Sequence, residues 1–246
     1  MKIEGAVALV TGASRGIGKQ FVEELQTAGA TRIYIGVRDT GAVTEIVSID
    51  PERIIPIQLD VTLEKSIQDA AARCQDVNLL INNAGVLKNK GLIAAPDISS
   101  ARAEMEVNYF GTLLMCRAFA PILKANAGGA IINVLSILAR INFPPEGSYS
   151  ASKAAALSLT QGVRAELAPQ KTLVVAVMPG RVDTDMTKDE QVEKISPTEV
   201  ASSALQAVVD EVEEVYVGEE AKSLATQLAS NPKAIEKQIA QMLPTS

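Results

Sequence analysis

Two side chains four residues apart, Tyr149 and Lys153 in "GSYSASK", set a phenol beside an ammonium in a chain of 246 residues that has no histidine. Proton transfer near neutral pH usually falls to an imidazole, so any acid–base chemistry here must use another group. A free tyrosine ionises near pH 10 and is a poor base. A lysine held nearby favours the phenolate, and each unit of lowering needs about 1.4 kcal/mol of differential interaction. A shift of two or three units asks for roughly 3–4 kcal/mol, which a fixed cation in a partly dry pocket supplies. Positions i and i+4 share one helix face, so Tyr149 and Lys153 are expected to act together, with Lys153 holding the tyrosine down. At this spacing alone, a helix-start aromatic and a surface charge explain the pair better, because Y-x-x-x-K is common by chance.

Other residues converge on the same place. Ser136 ends the apolar run "INVLS", where its hydroxyl can hold a substrate oxygen near the tyrosine. Asn108, in "EVNYFGT", falls inside a long helical pattern, and its amide can fix a water or bond a backbone carbonyl. "NNAG", residues 82–85, closes another apolar run with a small-residue turn that lets a ligand lie close.

A second constellation is "TGASRGIG" at 11–18, between the first apolar run and an amphipathic segment. Gly12, Gly16 and Gly18 let the backbone approach a pyrophosphate, whose charge meets the amino end of the following helix. The spacing differs from G-x-G-x-x-G, but its place after a strand and before a helix is the context a dinucleotide loop requires. About 20 residues past such a loop, one side chain meets the adenine ribose. That count reaches Arg38, whose guanidinium suits a 2′-phosphate and hence NADP(H). Arg15 can close on the same phosphate. Asp39 is the competing reading, since a shift of one position favours NAD(H), and either charge can instead be a solvated surface residue.

The elements that must position these groups are legible as an alternation. Apolar runs start at Ala6, Arg32, Ile54, Val77, Gly129, Leu173 and, more weakly, Glu214. Most lack polar alternation, as strands buried on both faces of a parallel sheet do. Helical spacing fills 17–29, 62–75, 99–125, 148–168 and 197–212, and the link from Arg38 to Ile54 has room for a turn or two of helix. The implied fold class is α/β, a Rossmann-like doubly wound sheet of about seven parallel strands flanked by helices. Residues 1–246 read as one domain, with a polar substrate loop at about 181–196. The tail from Glu220 reads as two short helices broken at Asn231-Pro232.

Bulk properties narrow the function. A net charge of −6 argues against nucleic-acid and anionic-membrane surfaces, which need a basic footprint. No basic-plus-apolar leader and no membrane-spanning run stand out, so a cytoplasmic enzyme is expected. Cys74 and Cys116 are read as buried, reduced thiols rather than a disulfide.

Taken in order, "TGASRGIG", "LDVT" at 59–62, "NNAG", Asn108, Ser136, "YSASK" at 149–153 and "PGRVDT" at 179–184 resemble the short-chain dehydrogenase/reductase family over essentially the whole chain. The resemblance implies an oxidoreductase moving hydride between a nicotinamide and a ketone, aldehyde or secondary alcohol. By that resemblance Tyr149 is the general acid in reduction and the base in oxidation, and Ser136 polarises the carbonyl. Lys153 lowers the tyrosine and holds the nicotinamide ribose, while Asn108 positions a relay water. Gly12, Ser14, Arg15, Gly16, Ile17, Gly18 and Arg38 would meet the cofactor, with Asp60 and Val61 at the adenine. Asn83, Ala84 and Gly85 would lie along the central ribose, and Pro179, Gly180, Val182 and Thr184 around the carboxamide. No metal is expected. A homodimer or homotetramer is implied, with a small carbonyl or alcohol as partner. One departure is Arg181, where an apolar or aromatic residue is more usual; it attracts an acidic substrate or reaches solvent. The rival readings are a 3-oxoacyl-thioester reductase of fatty acid synthesis and a dinucleotide-sensing protein without catalysis.

Overall fold

Seven short strands carry the apolar runs, and all pair in parallel. A computed structural model describes residues 1–244. The strands are β1 (Val7–Thr11), β2 (Arg32–Val37), β3 (Ile54–Gln58), β4 (Leu79–Asn82), β5 (Gly129–Val134), β6 (Thr172–Pro179) and β7 (Glu214–Val217). They lie in the order β3-β2-β1-β4-β5-β6-β7. The chain therefore reverses direction across the sheet between β1 and β4, and doubly wound folds bind ligands at the carboxyl ends of the strands beside such a reversal. Thr11, Asn82, Val134 and Pro179 end their strands on that edge.

Helices cover both faces because successive strand side chains point to opposite sides and both sides are apolar. On one face Ala8, Val10, Leu79, Ile81, Ile132 and Val175 pack with α1 (Gly16–Thr27), α2 (Thr44–Ile49) and α7 (Pro197–Val209). On the other, Leu9, Leu80, Ile131 and Val174 pack with α3 (Glu64–Arg73), α5 (Thr112–Ala125) and α6 (Gly147–Leu167). Cys74 and Cys116 lie in this second layer, both free and buried. Burial pushes each thiol up to about 12. The chain closes with α8 (Glu219–Ser230) and α9 (Pro232–Ile239), broken where Asn231 caps the second helix by accepting from the Ala234 amide.

One expected element departs from its pattern. The segment read as a single helix over 99–125 is α4 (Ser99–Met105), a π-helical turn at Glu106–Gly111, and then α5. Two contacts fix the widened turn. The Asn108 side chain is drawn onto the Val86 backbone, and Gly111 lies so close to Val61 that an added Cβ would come within 2.9 Å of its Cγ2. Widened turns of this kind are frequent at functional sites.

Candidate active site

Bare backbone forms the first wall of the crevice. Gly12 has φ +66°, a conformation that favours glycine, and a Cβ on Gly18 would sit 2.3 Å from the Gly12 carbonyl oxygen and 2.6 Å from Asn83 Nδ2. The Asn83 amide donates to the Thr11 and Gly12 carbonyls at 2.9 and 3.2 Å, so the end of β4 pins the loop. Thr11 adds to this by accepting from the Asn83 and Ala84 amides at 3.0 Å each. Arg15, at the N-cap of α1, gives its first-turn amides no side-chain cap. Those amides point out from an uncapped helix end, as an anion site requires.

The charged residues of this half stand at its rim. Arg38 is exposed and makes no side-chain hydrogen bond among the described residues. Asp39 caps the next turn, its carboxylate accepting from the Gly41 amide at 2.9 Å. Arg15 pairs with Asp185 of the 181–196 segment, 3.0 Å away. Asp60 accepts from the Thr62 amide and hydroxyl at 2.9 and 2.7 Å, which orders the turn after β3.

Ser136, Asn108, Tyr149 and Lys153 are all buried. Ser136 follows β5 and caps a short helical turn; its Oγ accepts from the Leu138 amide at 3.2 Å, which leaves the hydroxyl proton to give. The first turns of α6 supply Tyr149 and Lys153. Lys153 Nζ donates to the Val134 carbonyl at 2.9 Å and lies 5.6 Å from the centroid of the Tyr149 ring. Burial lowers the lysine to about 8, so it stays largely an ammonium at neutral pH. Beneath these groups Asn82 donates to Asn133, and Asn133 to Thr160, each at 2.9 Å, tying β4 and β5 to α6.

The structure adds to three sequence expectations. Burial pushes Tyr149 up first and Glu146 second, against pulls from Arg181 and Ser136, so desolvation opposes the lowering expected from Lys153. The i,i+4 rule captures adjacency to the lysine but not the loss of water around the phenol. Asn108 bonds the backbone, as one reading of its amide expected: it donates to the Val86 carbonyl and Ser152 Oγ and accepts from the Val86 amide. Arg181, its side chain 21% exposed, is already paired by carboxylates of this chain. It pairs with Glu146 at 2.9 Å and Glu190 at 3.1 Å, and its guanidinium lies 5.4 Å from the Phe143 ring centroid.

The carboxylates at the site were not legible beforehand. Glu220 of α8 accepts from the Arg181 amide at 3.1 Å and packs against Gly180, fixing the turn after β6. Glu104 is wholly buried and accepts from the Lys88 amide at 2.8 Å. Beyond Gly180 the chain pairs with itself, Val182 bridging to Ile195, so residues 184–194 form an excursion closed at its base. Val182 O and Thr184 O both accept from the Thr187 hydroxyl.

Comparison with known proteins decides the family. The short chain dehydrogenase family model matches residues 6–195. The chain is a short-chain dehydrogenase/reductase. Among curated relatives of this dehydrogenase, the short chain dehydrogenase mpl6 of Monascus purpureus is 36% identical over 200 residues, covering 76% of this chain and 68% of that protein. The 3-oxoacyl-[acyl-carrier-protein] reductase FabG of Aquifex aeolicus is 31% identical over 225 residues, covering 83% and 90%. A short chain dehydrogenase from Burkholderia cenocepacia J2315, solved in complex with NADP, superimposes with a TM-score of 0.93 at 46% identity over 100% of both chains. The fold of this dehydrogenase is thus one that binds nicotinamide dinucleotides. None of its described helices is long and apolar enough to cross a membrane.

Proposed function

We propose that this short-chain dehydrogenase is an NADP(H)-dependent reductase of ketones or aldehydes that runs in reverse as an alcohol dehydrogenase. The observation that carries the reading is Lys153. It is an ammonium with 5% of its surface exposed and no carboxylate partner among the described residues, beside a buried tyrosine. Burying an unpaired lysine is costly, and such perturbed groups cluster where chemistry needs them.

The crevice fits a dinucleotide. Its floor is the uncapped end of α1, and at Gly85 a Cβ would come within 3.3 Å of Asn108 Oδ1 and 3.6 Å of Lys153 Nζ, so only bare backbone leaves that strip open. Gly12, Ser14, Gly16, Ile17 and Gly18 would meet the pyrophosphate, Arg15 would close on the 2′-phosphate, Asp60 and Val61 would meet the adenine, and Asn83, Ala84 and Gly85 the central ribose. Pro179, Gly180, Val182 and Thr184 would enclose the carboxamide. Arg38, with Asp39 committed to its turn, would bind the 2′-phosphate, and the NADP bound by the Burkholderia relative supports that choice over NAD.

When bound, the dinucleotide supplies hydride for reduction and takes it in oxidation. Tyr149 gives its proton to the carbonyl oxygen, or removes it from the alcohol. Ser136 donates its hydroxyl proton to the same oxygen and orients it. Lys153 holds the ribose hydroxyls and returns protons to the tyrosine, while Asn108 keeps the Val86 segment and Ser152 in register beside it. Assembly as a homodimer or homotetramer is part of this reading, supported by Phe110, which stays 45% exposed next to α5. A cytoplasmic location accords with two free thiols.

The test is consumption of NADPH and, separately, NADH over aliphatic and aromatic ketones, ketoesters, quinones, sugars and an acetoacetyl thioester. Turnover with NADPH on simple ketones or ketoesters is expected, lost in Tyr149→Phe while NADPH binding survives. A Tyr149→Phe enzyme keeping more than about a tenth of the wild-type rate would overturn the role given to Tyr149. The likeness to the Aquifex reductase favours a second reading, 3-oxoacyl-thioester reduction, which a rate confined to the thioester would establish. Tight NADPH binding with silence on every carbonyl would instead identify a dinucleotide-sensing protein.

A further inference from the structure

The proposed chemistry gives Tyr149 its task and leaves open which carbonyl compounds reach it. Tyr149 belongs to an apolar cluster with Ile137 and Leu138, and the half-buried Leu87, Phe143, Tyr216 and Leu224 pack against that cluster. These four come from the segment after β4, the loop before α6, β7 and α8. Half-exposed apolar side chains that converge from separate elements on one buried polar group are what lines a ligand pocket. Phe143 is also fixed to the tyrosine's helix. Its amide donates to Ser150 Oγ at 3.1 Å, and that hydroxyl donates to the Glu146 carbonyl at 3.0 Å.

An arginine stands at each aromatic member of this wall, and each is already matched. The Arg181 guanidinium lies 5.4 Å from the Phe143 ring centroid, with Glu190 at 3.1 Å and Glu146 at 2.9 Å. The Arg140 guanidinium lies 5.9 Å from the Tyr216 ring centroid, donates to the Tyr216 hydroxyl and has Glu214 at 4.0 Å. A further carboxylate, Glu220, accepts from the Arg181 amide at 3.1 Å. Burial pushes the Glu146 carboxyl up towards its neutral form, yet Glu190 and Glu220 still set two negative charges against the one on Arg181. An anion arriving beside Phe143 must take Arg181 from Glu190 and then face the carboxylate it displaced. A neutral apolar group displaces nothing. Specificity built this way works by repelling the wrong partner.

We propose that the site takes an uncharged ketone or aldehyde with an apolar substituent, and that Glu190, by occupying Arg181, turns away substrates carrying a carboxylate or phosphate. The inference rests on the reductase reading of Tyr149 and names the substrate class of that same site. Phe143 and Leu224 receive the substituent, while Glu190 acts on the excluded compounds rather than on the accepted ones.

The test compares ethyl benzoylformate with benzoylformate, and with ethyl pyruvate, which lacks the ring. The readout is kcat/KM with NADPH on full-length enzyme. We expect the aryl ester to be preferred about 100-fold or more over the aryl acid, and about 10-fold or more over ethyl pyruvate. Ester and acid differ in intrinsic reactivity, so the change of their ratio in variants decides. Glu190→Gln should raise kcat/KM for benzoylformate about 10-fold, chiefly through KM. Adding Arg181→Met should remove that gain, because the released guanidinium is what the acid uses, and Glu190→Asp should keep the wild-type ratio. Leu224→Asn should cut the advantage of the aryl ester over ethyl pyruvate about 10-fold. If Glu190 served only to tie down its segment, Glu190→Gln would lower both aryl rates together and leave their ratio alone.

A wild-type enzyme that takes the acid as readily as the ester, or a ratio unmoved in Glu190→Gln, would overturn the proposal. Silence on all three compounds would bring down the reductase reading instead. The fluorescence of enzyme-bound NADPH then reads the pocket directly. A response to ethyl benzoylformate but not to benzoylformate would uphold the ligand class, and an equal response to both, or to neither, would overturn it.

Discussion

The two halves of the crevice are built from different materials. The half proposed for the cofactor is backbone: glycines, an uncapped helix end and one asparagine amide, with its arginines out at the rim. The half proposed for the substrate is side chains, a half-buried guanidinium held among carboxylates at the start of α6. The contrast is sharpest in the two arginines that tie down the 181–196 segment. Arg15 and Asp185 have side chains 75% and 64% exposed, whereas Arg181 and Glu146 are 21% and 6% exposed. An exposed pair contributes about 0–1 kcal/mol and exchanges readily, while removing one member of a buried pair leaves an uncompensated charge. One half should therefore reject added volume and tolerate changed charge, and the other should do the reverse.

The largest effect should come from adding one methyl group to the backbone half. Gly18→Ala places a Cβ against the Gly12 carbonyl and the Asn83 amide, neither of which has room to withdraw. We expect a loss of about 2–3 kcal/mol in denaturant unfolding and no measurable NADPH binding. Unchanged affinity in that variant would show that the loop is softer than its contacts imply. Next comes charge at the rim: Arg38→Asp should weaken NADPH binding about 10–100-fold and shift preference towards NADH, with little change in stability. An unmoved NADPH-to-NADH ratio would make Arg38 a bystander.

The smallest effect should be at the exposed pair. Asp185→Asn is expected to change stability by no more than about 0.5 kcal/mol. Because it releases Arg15, it should leave NADPH affinity unchanged or raise it a few-fold. A large fall in melting temperature would mean that this contact anchors the segment as firmly as Arg181 does, and the comparison between the two arginines would collapse.

The legibility of the sequence divides along the same line. The seven strands, the short link after Arg38 and the paired terminal helices were readable because each depends on local pattern. Asn82 and Ser136 reach one edge because each ends an apolar run whose length fixes where it stops, and Tyr149 is placed by the start of α6. The π-helical turn was not readable, since it depends on Val86 and Val61 meeting Asn108 and Gly111 across the fold. Nor was the carboxylate cluster. A glutamate in "FPPEGS" looks like a solvated charge until Arg181, from the far side of β6, closes over it. The same gap explains Tyr149, whose lysine neighbour is local but whose desolvation comes from every element packed around it.

The thiols beneath α3 and α5 offer a use beyond packing. With both sulfurs buried and their ionisation pushed up to about 12, neither reacts while the layer is closed. Alkylation of Cys74 or Cys116 therefore waits on that layer opening, so its rate is a clock for local unfolding of one face of the sheet, readable by mass with no added label.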